Sequence, residues 1–439
     1  MFILHILLGI IYIGLPLFFV LYYRTYRITD ADDKFFFSSG FLLKLFGATC
    51  AVVIYEFYYG GGDTTEYCRS GALLLDYVLG NIDQLPSILV QENLRKYNEL
   101  SFIQYNIQHE YWYSKATFTM TKIALLLNTF TLNSFYLTSI ICSFFSFFCS
   151  WKFYRFFVDN SSISKKKVGY AIFFMPSVIF WGSGLFKDTF TLGGLYLFII
   201  GLVNFFGHGK YKIGYLVYLL IGSYLLFSIR SFFLMASFPF ILLWIINLRF
   251  NSIPSLSIRI LIAPFFIAIA AISITASLQY LTQFFQELSV EKLMDTSKGF
   301  QSWHATLQGS AYSLGDIDYT TSGLVDKIPV SIAVTFFRPF LWEAGKPIVF
   351  LSALQSLFFL LITVYSIFKM RIIYFFTAFF SSPQAIALMG FSLFYGMVVG
   401  FTSYNFGALD RYKIPCLSTY VLALIFTWEK YKSRHNLIA

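Results

Sequence analysis

Long apolar runs separated by short polar segments extend along this chain from end to end. A helix needs about 20 apolar residues to cross the hydrocarbon layer of a bilayer, and backbone groups in lipid must form hydrogen bonds within their own segment. The pattern therefore predicts an all-α fold, a polytopic transmembrane helical bundle with about 11 spans. The predicted spans are 2–23, 36–59, 133–151, 168–186, 189–207, 213–229, 231–248, 260–277, 347–368, 382–403 and 412–428.

Two polar stretches, 60–115 and 278–346, are too long to be simple turns and are predicted to be extracytoplasmic loops that carry interfacial helices. The first contains ALLLDYVLGNIDQLPSILV, whose apolar spacing suits a helix lying on the membrane. The second opens with the amphipathic run LQYLTQFFQELSVEKLM and is expected to lie over a site. The short apolar stretch 116–131 predicts an interfacial or re-entrant helix. The whole chain, 1–439, is predicted to be a single integral membrane domain.

Composition and charge support a membrane protein and predict its orientation. Hydrophobic residues make up 57% of the chain, charged residues 12%, and the formal net charge is +10. One set of loops holds 17 Lys and Arg against 5 Asp and Glu: 24–34, 152–167, 208–212, 249–259, 369–371 and the tail from 429. Because basic loops stay in the cytosol, the N-terminus is predicted outside and the C-terminus inside. The positive charge then indicates attraction to anionic membrane lipid, and no nucleic-acid partner is expected.

Candidate chemistry lies at the outer ends of the spans, where an ionisable group is costly to desolvate. In YEFYYGGGDTTEYCRSG, three glycines precede Asp63, which is a candidate general base or a metal or sugar ligand. The same pattern also fits a glycine turn followed by a helix that the aspartate caps. Glu66 and Tyr67 are weaker binding candidates in the same segment.

Two tight outer hairpins carry further charges. Lys187 and Asp188 lie between two spans, and they fit either a phosphate-binding pair or a salt-bridged turn. Arg230, between the next two spans, has no acid within seven residues, so it either finds a distant partner or extends to the lipid headgroups.

Two more segments complete the outer set. In TFFRPFLWEAGKP, Arg338 offers a bidentate fork for phosphate, Glu343 either pairs with it or acts alone, and Trp342 is either a sugar-stacking or an interfacial residue. The turn SYNFGALDRYKIP adds a binding candidate group consisting of Asn405, Asp410 and Arg411. Asp410 and Arg411 also fit a simple surface pair.

Aromatic residues of the second long loop are candidates for a glycan groove, namely Trp303 and Tyr312. His304 is an acid/base candidate, although a surface or packing role is the commoner use of such a residue. The chain has no GxxxxGK[ST] phosphate loop, no HExxH motif and no paired Cys spacing, so ATP hydrolysis and a structural zinc site are not supported.

The segments YYGGGDTTEY, PSVIFWGSGLFKD, FFRPFLWEA and YNFGALDRYKIP resemble those of GT-C membrane glycosyltransferases and of Wzy/EpsG-type bacterial polysaccharide polymerases. The resemblance implies a bacterial inner-membrane location, a polyprenyl-linked glycan as substrate, and other envelope polysaccharide assembly proteins as partners. It places Asp63 near the acceptor and Arg230, Arg338 or Arg411 on the donor pyrophosphate. In its first long outer loop the chain lacks the D-x-D or E-x-D of many GT-C enzymes and has Asp63 followed by Glu66 instead. No cofactor is therefore predicted, and use of a divalent cation is left open.

The sequence thus predicts an enzyme that transfers a sugar or glycan from a polyprenyl-(pyro)phosphate donor to a hydroxyl acceptor at the outer face. The residues expected to take part in the reaction are Asp63, Lys187, Asp188 and Arg338. Two alternatives remain: a transporter or flippase of an anionic lipid-linked glycan or solute, and a non-catalytic envelope-assembly subunit. A transporter should place polar groups near the bilayer midplane, and the predicted spans offer few.

Overall fold

A computed structural model describes residues 2–94, 110–253, 321–345, 347–403 and 405–435, together with positions 264, 265, 268, 272, 275, 312 and 314. Over this part of the chain the regular structure is helical, with no β-strand. The all-helical class predicted from the apolar runs is confirmed.

The fold over these ranges is built from seventeen α-helices. They are α1 Phe2–Tyr26, α2 Ala31–Val53, α3 Asp63–Gly80, α4 Leu85–Val90, α5 Glu110–Tyr113, α6 Lys115–Thr131, α7 Phe135–Asn160, α8 Lys165–Phe173, α9 Pro176–Trp181, α10 Lys187–Leu202, α11 Ile213–Ser252, α12 Thr321–Phe337, α13 Pro347–Met370, α14 Ile372–Phe380, α15 Pro383–Thr402, α16 Phe406–Tyr412 and α17 Ile414–His435. Short π-helices extend α2 through Ile54–Tyr58 and α10 through Val203–Gly207. Single 3₁₀ turns cover Ile82–Gln84 and Leu341–Glu343.

Six helices in the described ranges are long and apolar enough to cross a membrane. They are Ala31–Tyr58, Phe135–Asn160, Lys187–Gly207, Ile213–Ser252, Val349–Met370 and Pro383–Thr402. A seventh crossing results if the pair formed by Asp63–Gly80 and Ile82–Val90, bent by 118°, counts as one span. An integral membrane protein is the direct consequence.

The predicted count of 11 spans is not confirmed by this measure. Two predicted spans, 213–229 and 231–248, both lie on α11, which is counted once among the six although its backbone is not helical at Arg230. Other predicted spans fall on the broken pair α8 and α9 and on α17, which are not among these six helices, and one falls on the apolar helix α1. The predicted span 260–277 and the amphipathic start of the second long loop lie almost wholly outside the described residues.

Helix α11 turns back on itself at Arg230, whose backbone torsions (φ −151°, ψ 79°) are not helical. A straight helix of 40 residues would hold its two ends about 60 Å apart. Instead, Arg249 near the end of α11 donates a hydrogen bond to the Tyr211 hydroxyl, just before its start, at 3.1 Å. The predicted hairpin at Arg230 is therefore present as a sharp reversal.

The predicted basic loops meet at one end of the bundle. Lys167 pairs with Glu429 at 2.6 Å, Lys210 donates to Asn160 at 2.7 Å, and Arg434 donates to Ser381 at 2.7 Å. These contacts join α8 with α17, the α10–α11 connection with α7, and α17 with α14. Lys187, at the other end of α10, lies at the opposite end of the bundle.

Two apolar cores divide the molecule. The larger core joins the crossing helices. The smaller one joins α3, α4, α5 and α6 to the start of α10 and to the part of α11 just before Arg230. Within the smaller core, α3 and α6 approach closely, because a Cβ placed on Gly71 would lie 2.7 Å from the Leu125 backbone nitrogen. The predicted short helix 116–131 is present as α6 and packs on α3.

Candidate functional site

Four of the predicted site residues converge on one cavity where the two cores meet. Its volume is about 320 Å³, and its charged lining consists of Asp63, Lys187, Arg230 and Arg411. These residues come from α3, α10, α11 and α16, which are distant in sequence. The remaining wall is apolar or hydroxylic and includes Ile229, Phe232, Tyr395, Val398, Val399, Thr402 and Tyr412. A charged pocket bounded by apolar side chains suits a ligand with an ionic head and an apolar body.

Asp188 contacts both arginines of the cavity without lining the cavity itself. Its side chain is 1% exposed, the Arg411 Nε donates a hydrogen bond to its Oδ2, and the Arg230 Nη2 lies 2.9 Å from its Oδ1. The Arg230 contact is an ion pair that is not aligned as a hydrogen bond. Breaking a buried pair on one side is costly, so Asp188 fixes where both guanidinium groups sit.

Aromatic rings surround both guanidinium groups. The Arg411 guanidinium lies 5.5 Å from the Trp181 ring centre and 5.7 Å from that of Phe186, and Arg230 lies 4.6 Å from the Tyr412 ring. Burial lowers the pKa of Arg411, but the charge and hydrogen bond of Asp188 more than offset this and raise that pKa above its usual value. Arg411 is therefore a permanent cation at the cavity wall.

Asp63 is the accessible carboxylate of the cavity. It begins α3 after Gly60, Gly61 and Gly62, whose φ angles of 69°, 133° and 147° favour glycine. Its side chain is 53% exposed, its Oδ2 lies 3.9 Å from the Arg411 Nη1, and its Oδ1 accepts a hydrogen bond of 2.9 Å from Tyr111. These contacts orient the carboxylate while leaving it open to a ligand, as a general base requires.

Lys187 supplies positive charge that the protein itself does not neutralise. Within the described ranges it has no ion pair, and its Nζ lies 5.7 Å from the Tyr67 ring centre. Around the cavity, three cations (Lys187, Arg230 and Arg411) face two carboxylates (Asp63 and Asp188), which leaves a formal charge of +1. A small anionic group is the ligand that this balance favours.

The short helix α9 connects the cavity to a second polar network. Trp181 at its end donates from Nε1 to the Asp410 Oδ2 at 3.2 Å, and Ser177 and Ser352 each donate to the Asp410 Oδ1 at 2.7 Å. The buried Lys413 adds an ion pair to Asp410 at 3.6 Å. Asp410 thus ties α16 to α9 and α13, and it does not line the cavity.

Lys44 on α2 binds the backbone at the end of α9. Its ammonium group is 1% exposed and donates to the backbone carbonyls of Val178 and Gly182 at 3.0 and 3.1 Å. These carbonyls lie at the interrupted end of α9, where intrahelical partners are missing. Lys44 therefore stabilises the break that places Trp181 against Arg411.

Arg338 and Glu343 form a separate pair. The Arg338 Nε lies 3.1 Å from both carboxylate oxygens of Glu343, and its guanidinium lies 5.7 Å from the ring of Tyr312 and 5.5 Å from that of Phe406. Neither charged residue lines the cavity. Tyr312 is buried and donates to the Gly400 carbonyl at 3.2 Å, whereas Trp342 is 82% exposed.

The other predicted residues have mainly local contacts. Glu66 lies 3.7 Å from Arg69, Tyr67 is fully buried against Tyr111, and Asn405 caps α16 by accepting from the Gly407 and Ala408 backbone. Trp303 and His304 lie outside the described residues. In the described ranges, no group of three His, Cys, Asp or Glu side chains is arranged to hold a metal ion.

Sequence reasoning missed four residues that shape the site. Tyr111 donates to Asp63, Trp181 packs under Arg411, Tyr395 lines the cavity, and Lys413 neutralises Asp410. The Pro, Trp and Gly residues that interrupt the fourth predicted span were a signal for Trp181. Tyr111 and Tyr395 stand among many aromatic residues and have no distinguishing local pattern.

Comparisons with protein-family models, with curated proteins and with solved structures found no match for this chain.

Proposed function

We propose that this chain is a membrane glycosyltransferase or polysaccharide polymerase that uses a polyprenyl-(pyro)phosphate-linked donor and a hydroxyl acceptor at the outer face. The observation that supports this most is the convergence of Asp63, Lys187, Arg230 and Arg411, from four separate helices, on one cavity. The resemblance of the segments around these residues to GT-C and Wzy/EpsG-type proteins points the same way.

In this proposal the three cations bind the donor phosphate. Arg411 and Arg230 are held by Asp188, so they meet the phosphate without reorganising, and Lys187 is available to neutralise the remaining charge. Negative charge grows on the phosphate oxygens as the sugar–phosphate bond breaks. Preorganised cations stabilise that developing charge in the transition state.

Asp63 takes the proton of the acceptor hydroxyl. Tyr111 and Arg411 orient its carboxylate from two sides, and its exposed edge faces the cavity. The acceptor oxygen then attacks the anomeric carbon of the donor, and the polyprenyl (pyro)phosphate leaves with the bonding electrons. Because the lipid phosphate is the leaving group, this reaction needs no ATP.

The test is turnover of detergent-solubilised protein supplied with lipid-linked glycans extracted from the source cells, followed as release of polyprenyl (pyro)phosphate. Asp63→Asn should lower turnover about 100-fold, because a positioned general base contributes about 10² to 10⁴ in rate. Asp76→Asn, at an exposed position of the same helix α3, is the matched control and should retain wild-type turnover.

Unfolding temperature should be the same for wild type, Asp63→Asn and Asp76→Asn. Equal turnover of wild type and Asp63→Asn would exclude the general-base role. Binding of the lipid-linked glycan with no product in detergent, where no compartments exist, would favour the transporter or flippase.

A further inference from the structure

A large apolar groove lies beside the start of α9, between helices that do not line the charged cavity. Its volume is about 870 Å³, and it runs between α8, α13 and α17. Along α13 its lining extends from Leu351 to Ser366. At 1.5 Å per residue this stretch is about 22 Å long, which exceeds the ~15 Å depth of one leaflet's hydrocarbon.

The two ends of the groove differ in charge. Lys167 and Lys432 line one end, beside Trp428, at the end of the bundle where the basic loops meet. Pro176, Leu351 and Gln355 line the other, and no Lys or Arg is present there among the described lining residues. Between the two ends the wall is formed by apolar side chains such as those of Phe358 and Ile362.

We propose that this groove binds an anionic glycerophospholipid, with its phosphate at Lys167 and Lys432 and one acyl chain along α13 and α17. Basic pockets between membrane helices on the cytosolic side suit such headgroups. Lys167 is 37% exposed on its side chain and pairs with Glu429, and Lys432 is exposed, so the mouth holds two cations against one carboxylate. Trp428 and Tyr365, with ring centres 5.9 Å apart, give an aromatic boundary at headgroup depth.

The charge distribution also sets the direction of the lipid. A lipid lying in the groove with its phosphate near Gln355 would meet no cation among the described lining residues. A lipid with its headgroup at the basic end would place its phosphate beside Lys167 and Lys432 and its acyl chain against the apolar wall. The proposed phospholipid site is therefore independent of the proposed glycosyl transfer.

Native mass spectrometry of the full chain, in micelles containing equal amounts of phosphatidylglycerol and phosphatidylcholine, tests this proposal. The wild-type protein should retain phosphatidylglycerol preferentially. Each basic residue near an anionic headgroup strengthens binding about fivefold, so the double variant Lys167→Gln and Lys432→Gln should lose about 25-fold. The matched control is Lys210→Gln with Lys212→Gln, two lysines at the same end of the bundle that do not line the groove.

Two further variants separate lipid binding from misfolding. Glu429→Gln frees Lys167 and should increase phosphatidylglycerol retention, whereas Ile362→Trp fills the groove and should reduce it with no change in charge. Equal retention of both lipids by wild type would overturn the proposal, as would equal losses in the two double-lysine variants. Displacement of phosphatidylglycerol by a polyprenyl phosphate at equal concentration would also overturn it, since the groove would then belong to the donor.

Discussion

Two buried aspartates, Asp33 and Asp188, lie at opposite ends of the bundle, and each contacts two basic side chains. The two clusters differ in the surroundings of their basic side chains. Asp33 at the basic end is 4% exposed and accepts hydrogen bonds from Tyr154 and Arg155, each at 2.7 Å, and from Lys165 at 3.2 Å. Its neighbours join α2 to α7 and to the start of α8. None of these four residues lines the cavities of about 870, 570 and 320 Å³ in the described ranges.

Asp188 at the other end is 1% exposed and also faces two cations, Arg230 and Arg411. Here the cations line a cavity of about 320 Å³, together with Lys187, which forms no ion pair with a described residue. An ion cluster that is satisfied within the protein stabilises the fold. One that retains an unneutralised cation beside a cavity is suited to bind an anion.

The largest effect is expected for Asp188→Ala. The variant leaves two buried arginines without their counter-charge, which costs about 3–5 kcal/mol of stability. Thermal unfolding in detergent, followed by tryptophan fluorescence, should show a large decrease in Tm. The charge-balanced variant Asp188→Asn with Arg230→Met should recover part of this decrease, and an unchanged Tm for Asp188→Ala would contradict the assignment of Asp188 as the anchor.

Asp33→Asn should cost less, about 2 kcal/mol, a typical value for hydrogen bonds to a charged group. The side chains of Arg155 and Lys165 are 34% and 33% exposed, so water can solvate them once the carboxylate is lost. Tm should fall moderately, and turnover at the temperature of the assay should not change. A loss of turnover in a folded Asp33→Asn protein would show that the two ends are coupled.

Lys187→Met should weaken binding of a polyprenyl diphosphate about tenfold, which corresponds to one charge-assisted contact of about 1.4 kcal/mol. Because Lys187 has no ion pair to lose among the described residues, Tm should stay the same or rise. Lys115→Met is the matched control, since Lys115 lies outside the cavity and pairs with Glu92. Equal affinities of the two variants, measured by titration in detergent, would remove Lys187 from the site.

The smallest effect is expected for Glu343→Gln. Glutamine retains a side-chain oxygen that can accept from Arg338, whose side chain is 23% exposed, so the loss should be about 1 kcal/mol, a typical value for one hydrogen bond. The pKa of Glu343 is lowered because hydrogen bonds from Arg338 and the Phe340 backbone outweigh the effect of burial. A decrease in donor affinity as large as that of Lys187→Met would instead place Arg338 on the donor, as the sequence predicts.

Part of the site could be predicted from the amino-acid sequence. Asp63, Lys187, Arg230 and Arg411 could be selected because charges at the ends of apolar runs are costly and hence informative. Their partners could not be selected: Asp188 is adjacent to Lys187 in sequence, yet it pairs with arginines 42 and 223 positions away. Asp410 lies beside Arg411 in sequence, yet its carboxylate accepts hydrogen bonds from Ser177, Trp181 and Ser352 and does not line the cavity.

The amino-acid sequence by itself determined the helical class, the membrane environment and the reversal at Arg230, because these follow from local hydropathy and from the need to satisfy backbone groups in lipid. The tertiary structure decided which charges share a pocket. The packing of α3, α10, α11 and α16 determines whether a cation pairs with a carboxylate or remains available to a ligand. That packing depends on contacts between side chains far apart in the chain.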